Sequence, residues 1–174
     1  MTTAKTELSI DVIEPHLRRI ESPIGRIELT SDGEAIVSLS IERGGHLPLE
    51  TLPENSDEVL DTAADQLAEY FVGSRRSFEV PVKLTGTEFQ KAVWAGLNEL
   101  PFGQITSYGE LGRTTGRPTA GRAVGGAVGA NPVPLLVPCH RVLATNNRIT
   151  GYSAGEGVTT KLWLLAHEGI MVHA

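Results

Sequence analysis

The chain has 174 residues, a net charge of −6, 40% hydrophobic residues, 21% charged residues and one cysteine. That is room for one ordinary domain or two small packed lobes with a real core, which excludes a disordered chain. No stretch approaches the roughly 20 apolar residues of a membrane span, and the polar, acid-bearing start MTTAKTELSIDVIEPHLRR is neither a signal peptide nor a basic transit peptide. The single cysteine rules out an intramolecular disulfide and a multi-cysteine zinc site, so a cytoplasmic protein with no metal, no cofactor and no membrane partner is expected.

In chain order, ESPIGRIELTSDGEAIVSLSIER alternates apolar and polar residues around Asp32-Gly33, which predicts a β-hairpin. HLPLETLPENSDEV reads as loop. Val59, Ala63, Leu67, Tyr70 and Phe71 recur at helical spacing, with Gly73 as the stop. SFEVPVKL predicts one more strand, at an edge because Pro81 interrupts it.

The character changes near Gly86. Thr87 caps a predicted helix over EFQKAVWAGLNEL, whose buried stripe is Phe89, Val93, Trp94, Leu97 and Leu100. Ser107 caps a short helix, YGELGRTTG, and Pro118 opens another, TAGRAVGGAVGAN. Two short helices across a glycine-containing turn make a helix-turn-helix candidate. LLVPCHRVL reads as an extended apolar run and RITGYSAG as a loop. VTTKLWLLAHEG reads as a closing helix with Leu162, Leu165 and Ala166 apolar at one spacing. Two lobes are expected, 1–85 and 86–174.

Charge divides along the same boundary. Residues 1–86 carry 8 Lys/Arg and 16 Asp/Glu, whereas residues 87–174 carry 7 and 5. Arg113, Arg117, Arg122, Arg141 and Arg148 stand against Glu110 alone between Gln104 and Arg148. Any phosphate contact therefore belongs to the second half.

Cys139 is the candidate nucleophile. It is either a buried strand cysteine, which behaves as a small hydrophobe, or a reactive thiol whose pKa is lowered by His140 and Arg141 beside it. Strand neighbours point to opposite faces, so His140 needs a bridging water or a bend to reach the sulfur. Glu168 ends the last helix at the unfavourable end of its dipole, which points to a specific partner such as His140. Asn131 is a helix stop or turn residue on its own terms.

Asn131-Pro132-Val133-Pro134, followed by Val137-Pro138-Cys139-His140-Arg141-Val142, resembles the active-site signature of the O6-alkylguanine-DNA alkyltransferases. Ser107-Tyr108, Arg122 through Ala127, Gly151-Tyr152-Ser153 and Leu164 through Gly169 match in order and spacing. The first 85 residues resemble that family loosely, through Ser22-Pro23-Ile24-Gly25 and the helix near residue 65.

The resemblance implies an α+β fold: a small ribonuclease H-like lobe on a mainly helical lobe with a winged-helix-like helix-turn-helix. It implies that Cys139 accepts the alkyl group, His140 is the water-mediated base, Glu168 fixes its tautomer, Asn131 is the hinge and Tyr108 the proton donor to the leaving base. Arg122 would fill the space of a flipped nucleotide. Ala123, Gly125, Gly126, Ala127 and Thr119 would lie along the minor groove. Tyr152, Ser153, Val142 (through its main chain) and Pro134 would line the pocket. The implied partner of this monomer is duplex DNA bearing O6-alkylguanine, with O4-alkylthymine as a second candidate lesion. A lesion-binding protein without catalysis, a helix-turn-helix regulator and a cysteine hydrolase are the competing classes. The Gly- and Ala-rich second helix offers a regulator few polar base-readers.

Overall fold

The computed structural model describes residues 15–117 and 120–172. Three antiparallel strands open the chain: β1 (His16–Ile20), β2 (Ile27–Ser31) and β3 (Ile36–Ile41), in the order β1-β2-β3. The hairpin of β2 and β3 turns where Asp32-Gly33 predicts it. Asp32 Oδ1 accepts from the amides of Glu34 and Ala35, both at 2.9 Å, and Gly33 takes a φ of 98° that an L side chain resists. β1 has no counterpart among the sequence expectations. Its strand HLRRI is mostly polar and only Leu17 is buried, so it carries no apolar alternation to read.

Helix α1 (Glu58–Phe71) is capped by Asp57, whose side chain accepts from the Leu60 amide. It lays Leu60, Ala63, Leu67 and Tyr70 against the sheet. The strand expected over 77–84 is not formed. Pro81 has no amide to donate, and the segment touches the sheet through one bridge: Ile36 donates to the Pro81 carbonyl at 2.8 Å and Lys83 to the Ile36 carbonyl at 2.9 Å.

Helix α2 (Glu88–Asn98) begins with a capping box of Thr87 and Gln90 and buries Val93, Trp94 and Leu97. β4 (Thr106–Ser107) leads into α3 (Tyr108–Thr114), capped by Ser107, and α4 (Gly121–Gly129) follows. These three helices pack on one another. Gly112 makes the α3–α4 contact possible: a Cβ there would stand 2.8 Å from the Arg117 carbonyl oxygen and 3.6 Å from the Val124 side chain.

The predicted extended run over 135–143 is corrected. Leu135 adopts a left-handed φ of 73°, Cys139–Arg141 form a 3-10 turn, and only Val142–Leu143 are strand (β5), parallel to β4. Three prolines, at 132, 134 and 138, remove the amides a ladder needs. Helix α5 (Val158–His167) closes the chain. Its buried face is Thr160, Lys161, Leu164 and Leu165, with Glu168 one turn on, whereas Ala166 of the expected stripe is exposed. One core cluster joins the sheet and α1 to Val133, Leu135, Leu136 and Leu164; the other lies among α2, α3, α4 and the cysteine turn. No described helix is long and apolar enough to cross a membrane.

Candidate active site

Cys139 and His140 occupy the 3-10 turn, so their side chains are not forced to opposite faces as on a strand. Asn131 shapes the approach to that turn. Its amide nitrogen donates to the Val137 carbonyl at 2.9 Å, and its Oδ1 accepts from the Val133 amide at 3.0 Å. Asn131 is thus both a turn residue and a brace for the cysteine segment.

Glu168 is the buried centre of the polar network. Its carboxylate meets His140 Nε2 at 2.5 Å. It also accepts from Arg141 Nε at 2.7 Å, Arg141 Nη2 at 3.2 Å and the Tyr70 hydroxyl at 2.7 Å. Burial pushes the carboxyl pKa up, but the His140 and Arg141 hydrogen bonds outweigh it and hold it at about 2. An ionised carboxylate only accepts, so Nε2 of His140 carries the proton. Nδ1 is then a bare lone pair, and it has no hydrogen-bond partner among the described residues. Burial drives the imidazole pKa down despite Glu168, which keeps the ring neutral at rest, with one nitrogen open to a proton.

Cys139 is 3% exposed. Its expected lowered pKa is corrected: burial pushes it up, while Asn131 and Tyr152 pull it only partly back. Arg141 spends its charge on Glu168 rather than on the thiol. Cys139 is therefore a resting thiol that needs a base at the moment of reaction.

Two cavities meet at Cys139. A cleft of about 260 Å³ is lined by Tyr108, Gly125, Val128, Gly151, Tyr152 and Ser153 among others. A larger groove of about 490 Å³ runs to β3 and the loop after it, with Asn131, Pro134 and Ser153 on its wall. The Tyr152 hydroxyl is 4.0 Å from the sulfur, the Tyr108 hydroxyl is 3.5 Å from Thr150 Oγ1, and Ser153 Oγ donates to the Gly129 carbonyl at 3.0 Å. Val142 lines neither cavity; it is buried, and its carbonyl accepts from Lys161 Nζ at 2.6 Å.

On α4, Arg122, Ala123 and Gly126 are exposed and Gly125 is half-buried against the Tyr108 ring. Ala127 is 2% exposed and faces α2, its carbonyl accepting from the Trp94 indole at 2.8 Å. It therefore belongs to the packing face rather than the outer one. A Cβ at Gly121 or Gly126 would meet nothing within 4 Å, so the protein's own packing does not require those glycines. Thr119 lies outside the described residues. Tyr70, Arg141 and Lys161 were not among the expected site residues. Tyr70 reads as a core aromatic on α1 and Arg141 as a cation beside the thiol or open to phosphate, and Lys161 is not singled out by the sequence. Only the proximity of Lys161 and Glu168 to the buried Leu164–Leu165 pair signals otherwise.

Fold and site together define a two-lobed α+β protein: a thiol backed by a base and an acid, set beneath a small-residue helix that carries an exposed arginine. Residues 17–84 match the 6-O-methylguanine DNA methyltransferase ribonuclease-like domain, and residues 88–170 match the DNA-binding domain of the same name. The chain is 42% identical over 152 residues to a methylated-DNA--protein-cysteine methyltransferase of Methanosarcina acetivorans, covering 86% of this chain and 95% of that one. It is 40% identical over 153 residues to the Mycobacterium tuberculosis protein of that name, covering 88% and 92%. The crystal structure of Mycobacterium tuberculosis O6-methylguanine methyltransferase superposes with a TM-score of 0.79 at 39% identity, covering 89% of this chain and 93% of that one. The structure of Mycobacterium tuberculosis OGT in complex with DNA gives 0.78 at 40% identity, covering 88% and 93%. The chain belongs to the 6-O-methylguanine DNA methyltransferase family.

Proposed function

We propose that this protein repairs DNA by moving the alkyl group of O6-alkylguanine onto Cys139, once per molecule. The carrying observation is the sulfur at the junction of two cavities, one residue along the turn from an imidazole whose Nε2 is locked on Glu168 and whose Nδ1 has no partner among the described residues. The relatives named methylated-DNA--protein-cysteine methyltransferase, and a structural neighbour bound to DNA, support the same reaction.

A water relays the thiol proton to His140 Nδ1, and Glu168 stabilises the imidazolium that forms. The sulfur then attacks the alkyl carbon. One S–C bond forms, the C–O6 bond breaks and its electron pair leaves with the guanine. The Tyr108 hydroxyl, on the cleft wall, donates a proton to that departing base, so the sum is a thioether and unmodified guanine. Tyr152, Ser153 and Pro134 shape the walls around the reacting carbon, and the Val142 main chain helps fix the turn.

The target base reaches the cleft only by leaving the duplex, which weakened pairing makes cheaper. Arg122, in the first turn of α4, fills the space left behind. The small residues Ala123, Gly125 and Gly126 let the helix backbone approach the minor groove without regard to sequence. Residues 1–85 act as the supporting lobe and 86–174 as the reacting lobe. The protein works as a monomer, in the cytoplasmic compartment that holds the DNA. O4-alkylthymine is a second substrate candidate, since its alkyl group hangs from an equivalent oxygen.

Mass spectrometry after mixing with O6-methylguanine duplex tests this directly. The peptide holding Cys139 gains one methylene unit and the gain stops at one equivalent. An unmodified peptide, or continued turnover under substrate excess, sinks the proposal.

A further inference from the structure

The displacement assigned above leaves part of the substrate without a place. The guanine fills the smaller cleft, and the sulfur, the reacting carbon and O6 share one axis. Whatever the alkyl group carries beyond its first carbon must leave that axis sideways. The groove of about 490 Å³ also opens on Cys139. Leu39, Ile41, Leu47 and Pro48 of the first lobe, with Pro134 and Ala154 of the second, give it apolar walls.

Its charge runs against its surroundings. Residues 1–86 carry 16 Asp/Glu against 8 Lys/Arg, yet no carboxylate lines the groove among the described residues. Arg43 and His46 do line it, on the loop after β3. The acids beside that loop are turned elsewhere. Glu42 pairs with Arg26 at 2.6 Å, and Glu156 accepts from the Gly44 amide at 2.6 Å. His46 is spent on Glu50 at 2.9 Å.

Arg43 is therefore the unanswered cation of the groove. Its Nε donates to the Gly155 carbonyl at 2.6 Å, and its Nη2 lies 3.5 Å from the Ser153 carbonyl. Those two bonds hold the guanidinium against the loop that follows Tyr152. Nη1 has no hydrogen-bond partner among the described residues. A guanidinium cannot shed its proton, and its planar fork suits a carboxylate.

We infer that the first lobe reads the alkyl substituent: the groove takes O6-substituents that end in an anion, and Arg43 is the specificity-determining residue that meets the charge. This rests on the transfer reaction assigned above. The S–C bond forms and the C–O6 bond breaks as before. The carboxylate takes no part in the chemistry and stays on the thioether at Cys139.

The test compares two free bases of one shape, O6-(4-carboxybenzyl)guanine and O6-(4-carbamoylbenzyl)guanine, which differ in charge. Mass spectrometry follows single-turnover thioether formation on wild type, Arg43→Gln and Arg43→Lys, and the acid-to-amide rate ratio is read. Wild type favours the acid by about fivefold, the upper end for an exposed ion pair. In Arg43→Gln the ratio falls to about one, whereas Arg43→Lys keeps a preference for the acid. Loosening of the Ser153–Gly155 loop slows both substrates and cancels in the ratio. Neither base carries a phosphate, so the DNA backbone cannot produce the preference. A wild-type ratio of about one overturns the inference whatever the variants do, and so does an unchanged ratio in Arg43→Gln. If Arg43→Gln weakens duplex binding and leaves the ratio alone, the anion at Arg43 is a backbone phosphate and the inference falls. No thioether from either base in wild type overturns the transfer reaction itself, which separates the two failures.

Discussion

The two halves of the molecule use their arginines in opposite ways. Around the sheet, Arg18 pairs with Asp61, Arg19 with Glu28 at 3.0 Å, Arg26 with Glu42 at 2.6 Å and Arg75 with Glu69 at 2.9 Å. In the helical half Arg141 is spent on Glu168, while Arg113, Arg117, Arg122 and Arg148 are exposed and have no carboxylate partner among the described residues. Four arginines of the first half are answered by carboxylates, whereas four exposed arginines of the second half are left for a polyanion. A net charge of −6 therefore says little about DNA binding, because what matters is which cations remain unanswered.

The sharpest way to separate chemistry from binding is Cys139→Ala. Transfer is lost completely, while affinity for alkylated duplex stays within a few fold. Gel shift and thioether assay on one preparation check both. Any residual covalent product would move the acceptor elsewhere, and loss of binding would make Cys139 a fold determinant.

Glu168→Gln comes next, because it strikes both reaction and fold. It removes the carboxylate that orients His140 and leaves Arg141 a buried, unanswered cation. Stability falls by about 3 kcal/mol or more, and transfer slows by about a hundredfold. The pH dependence has a defined sign. The carboxyl of Glu168 sits at about 2 in the folded protein against an ordinary 4.5. Its stabilisation is thus complete above pH about 4.5 and is lost as the pH falls towards 2. Urea unfolding across that window shows wild type losing stability that Glu168→Gln no longer has to lose. Parallel curves for the two proteins would remove Glu168 from its central place.

How much of this was legible beforehand follows from the same residues. The hairpin, α1, α2 and α3 announce themselves through periodicity, turn residues and caps, because local sequence sets them, whereas α4 starts at Gly121 without a side-chain cap. Cys139, His140 and Glu168 are legible as chemistry because a lone thiol beside an imidazole, and an acid at a helix C-terminus, break the local rules. The sequence misleads where long-range contacts decide. LLVPCHRVL looks extended because it is apolar, yet Pro138, the prolines at 132 and 134 just before it and the Asn131 brace bend it into a turn. Tyr70 comes to Glu168 from 98 positions away, and no local pattern encodes that. Lys161 is hidden because lysine is expected on a surface.

Arg122→Ala probes the unanswered cations directly. Transfer from duplex O6-methylguanine falls by roughly tenfold to a hundredfold, since unstacking a base costs a few kcal/mol that the arginine helps to offset. Reaction with free O6-benzylguanine stays within about twofold. Equal losses on both substrates would deny Arg122 any role in flipping and place it in the chemistry.

The smallest effect contrasts two glycines of the helix pair. Gly112→Ala must push the Arg117 carbonyl away from 2.8 Å and destabilises by about 1–3 kcal/mol. Gly126→Ala meets nothing within 4 Å and, in a helix interior, stabilises by about 0.5–1 kcal/mol. Gly126→Leu keeps that fold but places bulk on the outer face of α4, so duplex affinity drops by several fold while free-base reaction is untouched. Thermal unfolding and fluorescence anisotropy together read the pair. If Gly126→Leu binds duplex as wild type does, the outer face of α4 is not where DNA lies, and the unpaired arginines must serve some other surface.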